Sequence, residues 1–421
     1  MKTLLAWCIV MGIWPAYGAA AERFLTEEAA VIRLLDITDE RLALMPAVAA
    51  TKWRSHTSIL DPERERAVIR HAGELATPLG LAAEPVEQYF EIQVRLAREL
   101  EVRMTAQWSA DGFQFTGPIP DLATQLRPQL DAVTSQMLRA LYLAAPALRR
   151  PEFINRYAVL AEEHLHSAGW SNQSRQELLA ALAGIKQQPA PVLERIAAAG
   201  VLRVGVTGDY APFSVETDGV LTGADIELAR QLAANLHAEP VFIRTSWGAL
   251  LEDLRDNEFD VGMGGVSVTA ERQAQAAFSI AYSSGGKTVI ARCADTAKYR
   301  NLASIDRARV RVIVNPGGTN EQYVRANVHK AQIRLYPDNR TIFDELVAGR
   351  ADVMITDDAE VDLQTHRHPQ LCRVLAGTLT HADKAVLMPK DPPFIAAVNS
   401  WLGDEIAAGE PAHLLQQSAA H

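Results

Sequence analysis

The chain has 421 residues, with 41 Lys and Arg against 51 Asp and Glu, and a formal net charge of -10 that argues against a nucleic-acid-binding surface. Its 48% hydrophobic and 22% charged residues are ordinary for a soluble globular protein. The length excludes one compact core and predicts two or three domains, at roughly 100 to 200 residues each.

The opening segment MKTLLAWCIVMGIWPAYGAAAE carries one lysine, an apolar run from Leu4 to Trp14, a break at Pro15 and small residues from Gly18 to Ala20. This layout predicts a cleaved export signal over residues 1–20, because the run is short for a bilayer span; a retained anchor is the alternative. Cys8 follows Trp7, where lipidation needs a small residue. No later stretch is long and apolar enough to span, so the mature chain is expected to be periplasmic or secreted, and off the membrane. Signal removal leaves Cys293 and Cys372. In an oxidising compartment they are a disulfide candidate worth roughly 4 kcal/mol on the chain-entropy model, with two buried free thiols as the alternative. The HLH at 164–166 and HRH at 366–368 read as solvated helix faces, so no metal is expected.

Residues 21–186 are rich in Ala, Leu, Arg and Glu, and Val31, Leu34, Leu35, Leu42, Met45, Val48 and Ala49 recur at helical spacing. An all-helical domain follows. Arg41 and Lys52 are 11 apart, so one helix, kinked at Pro46, would show both cations on one face. Asp61 has N-cap chemistry, Pro62 suits the first helical position and Arg64 falls in the first turn. Gln93, Ala97 and Glu101 form an inward row on a further helix, and Arg127 precedes Pro128 near the start of another. Taken singly, such charges are most often solvated.

In order, ERL, ATKW, ILDPERE, FEIQVRLARELE and PDLATQLRP resemble the secreted, all-helical class of chorismate mutases over most of residues 27–145. The resemblance implies that Arg41, Arg64 and Arg127 clamp the two carboxylates of chorismate, that Asp61 belongs to the same binding set, and that Lys52 and Glu101 face the ether oxygen of the breaking bond. Rearrangement to prephenate is pericyclic, so it calls for a held conformer and donors at the developing charge, with no nucleophile or cofactor. Glu101 can donate only when protonated, which requires a raised pKa. Ala97 stands where many relatives carry Thr or another polar group, so one secondary contact is missing.

A connector at 187–193, within KQQPAPVLER, separates this domain from residues 194–421, where short strand-like runs alternate with amphipathic stretches. That alternation predicts an α/β domain with mostly parallel sheets. Trp247 follows a strand, Arg272 falls in the first turn of a helix, and NPGGTNEQ opens a helix with Thr319 and Asn320 placed to hold a carboxylate. A plain helix start is the alternative for that turn. MITDDAEVDL gathers Asp357, Asp358, Glu360 and Asp362 behind an apolar run, which alone suggests a metal site or a solvated helix start.

From VLERIAAAGVLRVGV onward the chain resembles the periplasmic amino-acid-binding proteins, which implies the two-lobed type II binding-protein fold with ligand in the cleft. More narrowly, TGDYAPFS, GGVSVTAERQ, FSIAYSSGGKT, VIVNPGGTNE, ADVMITDDAE and HPQLC resemble the periplasmic cyclohexadienyl dehydratases over about 195–415, Cys293 and Cys372 included. By that resemblance Glu360 is the general acid. Arg272, Thr319 and Asn320 hold carboxylate; Tyr210, Trp247, Ser267 and Lys287 line the pocket; and Asp357 suits an amino group such as that of arogenate. Asp358 adds a neighbouring charge that would help keep Glu360 protonated. The expectation is an exported bifunctional enzyme without cofactor, converting chorismate to prephenate and prephenate to phenylpyruvate, with arogenate as a further substrate. A solute-binding or sensor protein with a helical partner module, and a mutase with an inactive dehydratase-like lobe, remain the alternatives. The sequence leaves the oligomeric state open, a homo-oligomer included.

Overall fold

The computed structural model describes residues 22–112 and 118–420; the expected export signal lies outside the described residues. The helical domain comprises α1 (Glu27–Ala43), α2 (Met45–Ser55), α3 (Pro62–Ala76), α4 (Ala83–Ala110), α5 (Arg127–Leu148), α6 (Phe153–His164) and α7 (Asn172–Ala183), with a π turn (Leu122–Leu126) leading into α5. Local chemistry sets the helix starts. Thr26 accepts a hydrogen bond from the Ala29 N–H at 3.0 Å to cap α1, and Asp61 accepts one from the Arg64 N–H at 3.0 Å to cap α3 ahead of Pro62. Val31, Leu34 and Leu35 of α1, Tyr89 and Phe90 of α4, and Met137 and Leu141 of α5 meet in one buried core.

The single kinked helix expected to carry Arg41 and Lys52 is two helices, broken at Leu44. Pro46 sits in the first turn of α2, where its missing N–H would have been unpaired anyway, so the chain restarts a helix there instead of bending one.

Helix α8 (Val192–Ala199) opens the α/β domain. Lobe I holds a sheet in the order β5 (Glu239–Arg244), β1 (Val201–Val206), β6 (Val261–Gly262), β15 (Leu387–Met388) and β7 (Ala277–Phe278). Lobe II holds β11 (Gln332–Leu335), β10 (Arg311–Val314), β12 (Val353–Asp357), β9 (Lys287–Arg292) and β13 (Leu371–Arg373). Pairing is parallel among β5, β1 and β6 and among β11, β10 and β12, with antiparallel strands completing each sheet. A small meander, β2 (Asp209–Tyr210), β3 (Ser214–Thr217) and β4 (Val220–Thr222), borders the cleft on the lobe I side.

Helices cover both sheets: α9 (Ala224–Asn235), α10 (Leu250–Arg255) and α11 (Ala270–Gln275) in lobe I; α12 (Leu302–Ile305), α13 (Thr319–Asn327), α14 (Ile342–Val347) and α15 (Asp358–Arg367) in lobe II; then α16 (Pro392–Ala408) and α17 (Glu410–Ala420) back on lobe I. The chain crosses between lobes at β8 (Ser283–Gly285) and β14 (Ala382–Lys384), which pair antiparallel. Beside this crossover a Cβ on Gly286 would stand 1.9 Å from the Thr380 carbonyl oxygen, so no side chain fits. Cys293 and Cys372 are joined in a disulfide that ties the end of β9 to β13.

Two passes of the chain bind the domains. Before α1, Phe24 pairs parallel with Phe242 of β5, and the Leu25 N–H donates to the Phe242 carbonyl at 2.9 Å. The connector expected at 187–193 is fastened at its start, where the Gln188 N–H donates to the Gly80 carbonyl at 2.8 Å, and helical from Val192 onward. Between the passes, the guanidinium of Arg203 lies 4.4 Å over the ring of Tyr142 from α5. Arg203 and Arg195 donate to Asp260 at 2.8 and 3.0 Å. Burial would raise the Asp260 carboxyl, but the two guanidiniums hold it below the usual carboxylate range. Asp260→Ala should therefore destabilise the chain by about 3 to 5 kcal/mol by stranding two buried cations, read as a lower denaturation midpoint in urea.

Candidate active sites

In the helical domain, α1, α2 and α4 converge on one polar cluster. Lys52 donates to Glu101 Oε2 at 2.7 Å and reaches the Ile59 carbonyl at 3.4 Å. Burial pushes the Glu101 carboxyl up, and Lys52 only partly offsets the push. The row of Gln93, Ala97 and Glu101 faces inward as its spacing predicts. Arg41 is buried, yet its Nε and NH1 have no partner among the described residues, and neither polar atom of the Gln93 side chain has one. Each such orphan costs on the order of 1–3 kcal/mol, so the cluster is poorly explained by stability and well suited to an anionic oxygen ligand.

The remaining expected residues sit at the border. Arg64 and Arg127 are exposed at the starts of α3 and α5. Both helix starts flank α2: Lys52 touches Ile59 just ahead of α3, and Thr51 Oγ1 donates to the Pro120 carbonyl at 2.8 Å ahead of α5. Asp61 is engaged in its N-cap and is not brought into the cluster. Gln93 was legible as an inward position but not as a binding group, because only its missing partners mark it.

The α/β cleft is organised around Asp357, the last residue of β12. Its register neighbour on β9 is Lys287, which donates to Oδ1 at 2.6 Å and to Thr319 Oγ1 at 2.9 Å. Lys384 from the crossover strand donates to Asp357 Oδ2 at 2.6 Å and to Ser267 Oγ at 2.9 Å. The Tyr210 hydroxyl donates to the same Oδ2 at 2.6 Å. Burial would raise Asp357, but the two lysines overwhelm it and hold the carboxyl far below the usual range. Arg272 is buried nearby, donating to the Ser267 carbonyl at 2.9 Å, and Trp247 donates through Nε1 to Asp209 at 3.2 Å.

Glu360, in the first turn of α15, is 1% exposed. Thr356 donates to its Oε2, Asn339 donates to its Oε1 at 3.1 Å, and Asn320 in turn donates to Thr356 at 2.9 Å. Burial, with help from the nearby charges of Asp357 and Asp209, pushes Glu360 up to about 8. Asp358, expected to be the helping charge, turns instead toward the crossover, where its side chain accepts from the Gly286 N–H at 3.2 Å. The reason is geometric: Asp358 and Glu360 are two residues apart at the start of α15, about 200° around the helix, so their side chains point to opposite sides. Asp362 is exposed.

Thus Tyr210, Trp247, Ser267, Arg272, Thr319, Asn320 and Asp357 line one cleft, with Lys287 and Glu360 bonded to its walls. Sequence reading missed Lys384, Asn339, Thr356 and Asp209. Nothing local in ADKAVLMP distinguishes Lys384 from a strand lysine, and only the return of the chain through the crossover places it here. The lobes are closed: the free space is about 20 Å³, near one water molecule.

The chain belongs to the bacterial extracellular solute-binding proteins, family 3, whose model matches residues 202–419, and a chorismate mutase type II model matches residues 32–102. It is thus a mutase-type helical domain fused to a binding-protein-like α/β domain. Cyclohexadienyl dehydratase of Pseudomonas aeruginosa is 47% identical over 231 residues, covering 54% of this chain and 85% of that protein. The L-cystine-binding protein of Escherichia coli K12 is 32% identical over 217 residues, covering 51% and 80%. The crystal structure of an ancestral amino-acid-binding protein, described as a precursor of cyclohexadienyl dehydratase, aligns with TM-score 0.50 and 32% identity over 54% of this chain and 99% of that one.

Gly317 of lobe II, at φ +80, faces Gly248 of lobe I so closely that a Cβ would stand 2.9 Å from the Gly248 nitrogen. Gly317→Ala should obstruct closure and lower the activity of the α/β domain by about tenfold or more while leaving that of the helical domain unchanged, as parallel assays of the two would record.

Proposed function

We propose that the chain is an exported bifunctional enzyme that rearranges chorismate to prephenate in its helical domain and converts prephenate to phenylpyruvate in its α/β domain. The observation that carries the second activity is Glu360, a buried carboxyl raised to about 8 beside a cleft walled by Lys287, Lys384 and Arg272. A protein that only binds a solute has no use for a neutral acid there. Membership of an extracellular solute-binding family supports export, and among the described residues no helix is long and apolar enough to cross a membrane.

In the mutase step the enzyme forms no covalent bond. Arg41, with its free donors, holds one carboxylate, and Arg64 and Arg127 close on the substrate from the rim. Lys52 and Glu101 meet the ether oxygen as its bond to the ring breaks and negative charge develops, while the enolpyruvyl methylene carbon bonds to the ring carbon that bears the carboxylate and the ether oxygen becomes a ketone oxygen. Once Lys52 turns to that oxygen, Glu101 loses its counter-charge and its pKa rises further, so substrate itself promotes the protonated, donating form.

In the dehydratase step the bond between the ring and its carboxylate breaks, and its electron pair enters the ring as CO2 departs. The opposite C–O bond breaks at the same time, and the leaving oxygen takes the Glu360 proton to depart as water. The ring becomes aromatic and Glu360 is left as a carboxylate, to be reprotonated from solvent when the lobes open. Arg272, Thr319 and Asn320 hold carboxylate; Thr356 and Asn339 fix the acid.

Given chorismate, the purified mature chain should release prephenate and then phenylpyruvate. Glu360→Gln should cut phenylpyruvate formation by about 100-fold or more while prephenate accumulates at the wild-type rate. Accumulation of prephenate alone by the wild type would remove the dehydratase assignment. For the first step, the raised pKa of Glu101 means that mutase kcat/KM should fall as pH rises through it, and Glu101→Gln should flatten the profile. A wild-type profile flat into alkaline pH would remove this role.

A further inference from the structure

Resting on the dehydratase reading, we infer that the Lys287, Asp357 and Lys384 cluster makes the cleft select a 2-oxo acid over the matching 2-amino acid, with Lys384 as the specificity-determining residue. An amino-acid site needs an ionised carboxylate whose charge is free to pair with the substrate ammonium. Among the described residues lining the cleft, Asp357 is the only carboxylate. Three of its roughly four lone pairs are taken, one on Oδ1 by Lys287 at 2.6 Å and two on Oδ2 by Lys384 at 2.6 Å and Tyr210 at 2.6 Å, and its single negative charge is shared between two cations.

This occupancy does not depend on closure alone. Lys287 and Asp357 are paired neighbours on adjacent strands of lobe II, so their ion pair travels with that lobe. Lys384 comes from the crossover strand that joins the lobes. An incoming ammonium would have to share Asp357 with two buried lysines, meeting both as like charges, or displace one of them from its counter-ion.

The charge balance points the same way. Lys287, Lys384 and Arg272 against Asp357 leave an excess of two positive charges among the residues in or bonded to the cleft wall, with Asp209 adding one negative charge behind Trp247 near the protonated Glu360, so the cleft stays net positive. Prephenate carries two carboxylates and no cation, so it meets these charges fully. Arogenate carries the same carboxylates plus an ammonium, and the lining side-chain acceptors without a partner among the described residues include Oδ1 of Asn320 and of Asn339. These are neutral acceptors and supply no counter-charge. Asp357 therefore acts as a positioning residue for the lysines and not as the amino-group partner that its place in the sequence suggested.

The test compares the paired acids in two ways with the full mature chain. By calorimetry, phenylpyruvate should bind at least about tenfold more tightly than L-phenylalanine, and by steady-state kinetics prephenate should exceed arogenate in kcat/KM by at least about tenfold. Lys384→Gln removes one of the two cations paired with Asp357, leaving Tyr210 on Oδ2, and should narrow both preferences by about tenfold, losing 2-oxo acid more than amino acid. Equal or stronger binding of L-phenylalanine, a kinetic ratio near one, or a Lys384→Gln that lowers both substrates by the same factor would overturn the inference. If the wild type turns over neither substrate, the dehydratase reading fails on its own, and the calorimetric comparison still decides the ligand preference.

Discussion

One carboxylate, Asp357, is the interaction on which the α/β domain depends. It ends the central strand of lobe II, pairs with Lys287 across the sheet, with Lys384 from the crossover and with Tyr210 from lobe I, and so joins both lobes and their hinge through two oxygens. Without it two buried lysines would lose their partner, at a cost of several kcal/mol. Its negative charge also reaches Glu360 three residues on, where it adds to burial in keeping that second carboxyl protonated. The same residue thus sets the cations of the cleft and supports its acid.

The two domains handle a buried carboxyl in opposite ways. Glu360 is kept protonated mainly by burial, with Asp357 and Asp209 adding to it and the neutral donors Thr356 and Asn339 only partly opposing it, so it keeps its proton before substrate arrives. Glu101 has a lysine directly against it, so its protonation is tied to whether Lys52 is drawn away. The difference fits the chemistry proposed for each. Expulsion of a ring hydroxyl needs a proton delivered in full, whereas a pericyclic rearrangement needs only a donor at an oxygen that becomes more negative.

Much of this was legible in the sequence, because periodicity, capping residues and Pro positions are local signals. Asp61 with Pro62 marked the start of α3, and the four-residue spacing of Gln93, Ala97 and Glu101 marked the inner face of α4. What was not legible required the chain to return from a distance. Lys384 enters the cleft only through the second crossover, and Asp209 reaches Glu360 only because the lobes meet. Pro46 was read as a kink where it restarts a helix, since a proline in a helical pattern is compatible with both until packing decides. Asp358 was assigned to Glu360 by adjacency in sequence, and the direction of its side chain sends it elsewhere.

The domain junction gives the arrangement its rigidity on one side only. Phe24 on β5, the fastened connector and the Tyr142, Arg203 and Asp260 cluster all attach the helical domain to lobe I. Lobe II is joined to lobe I through the β8 and β14 crossover, the kind of connection about which two lobes hinge. Everything proposed for that cleft rests on one proton being present near neutral pH. The most direct measurement is the pH dependence of kcat/KM for prephenate in the wild-type chain. The account predicts a plateau through neutral pH and a tenfold fall per pH unit above about 8, the value at which Glu360 loses its proton. A rate that already falls between about pH 4 and 6, where an ordinary glutamate ionises, would contradict it.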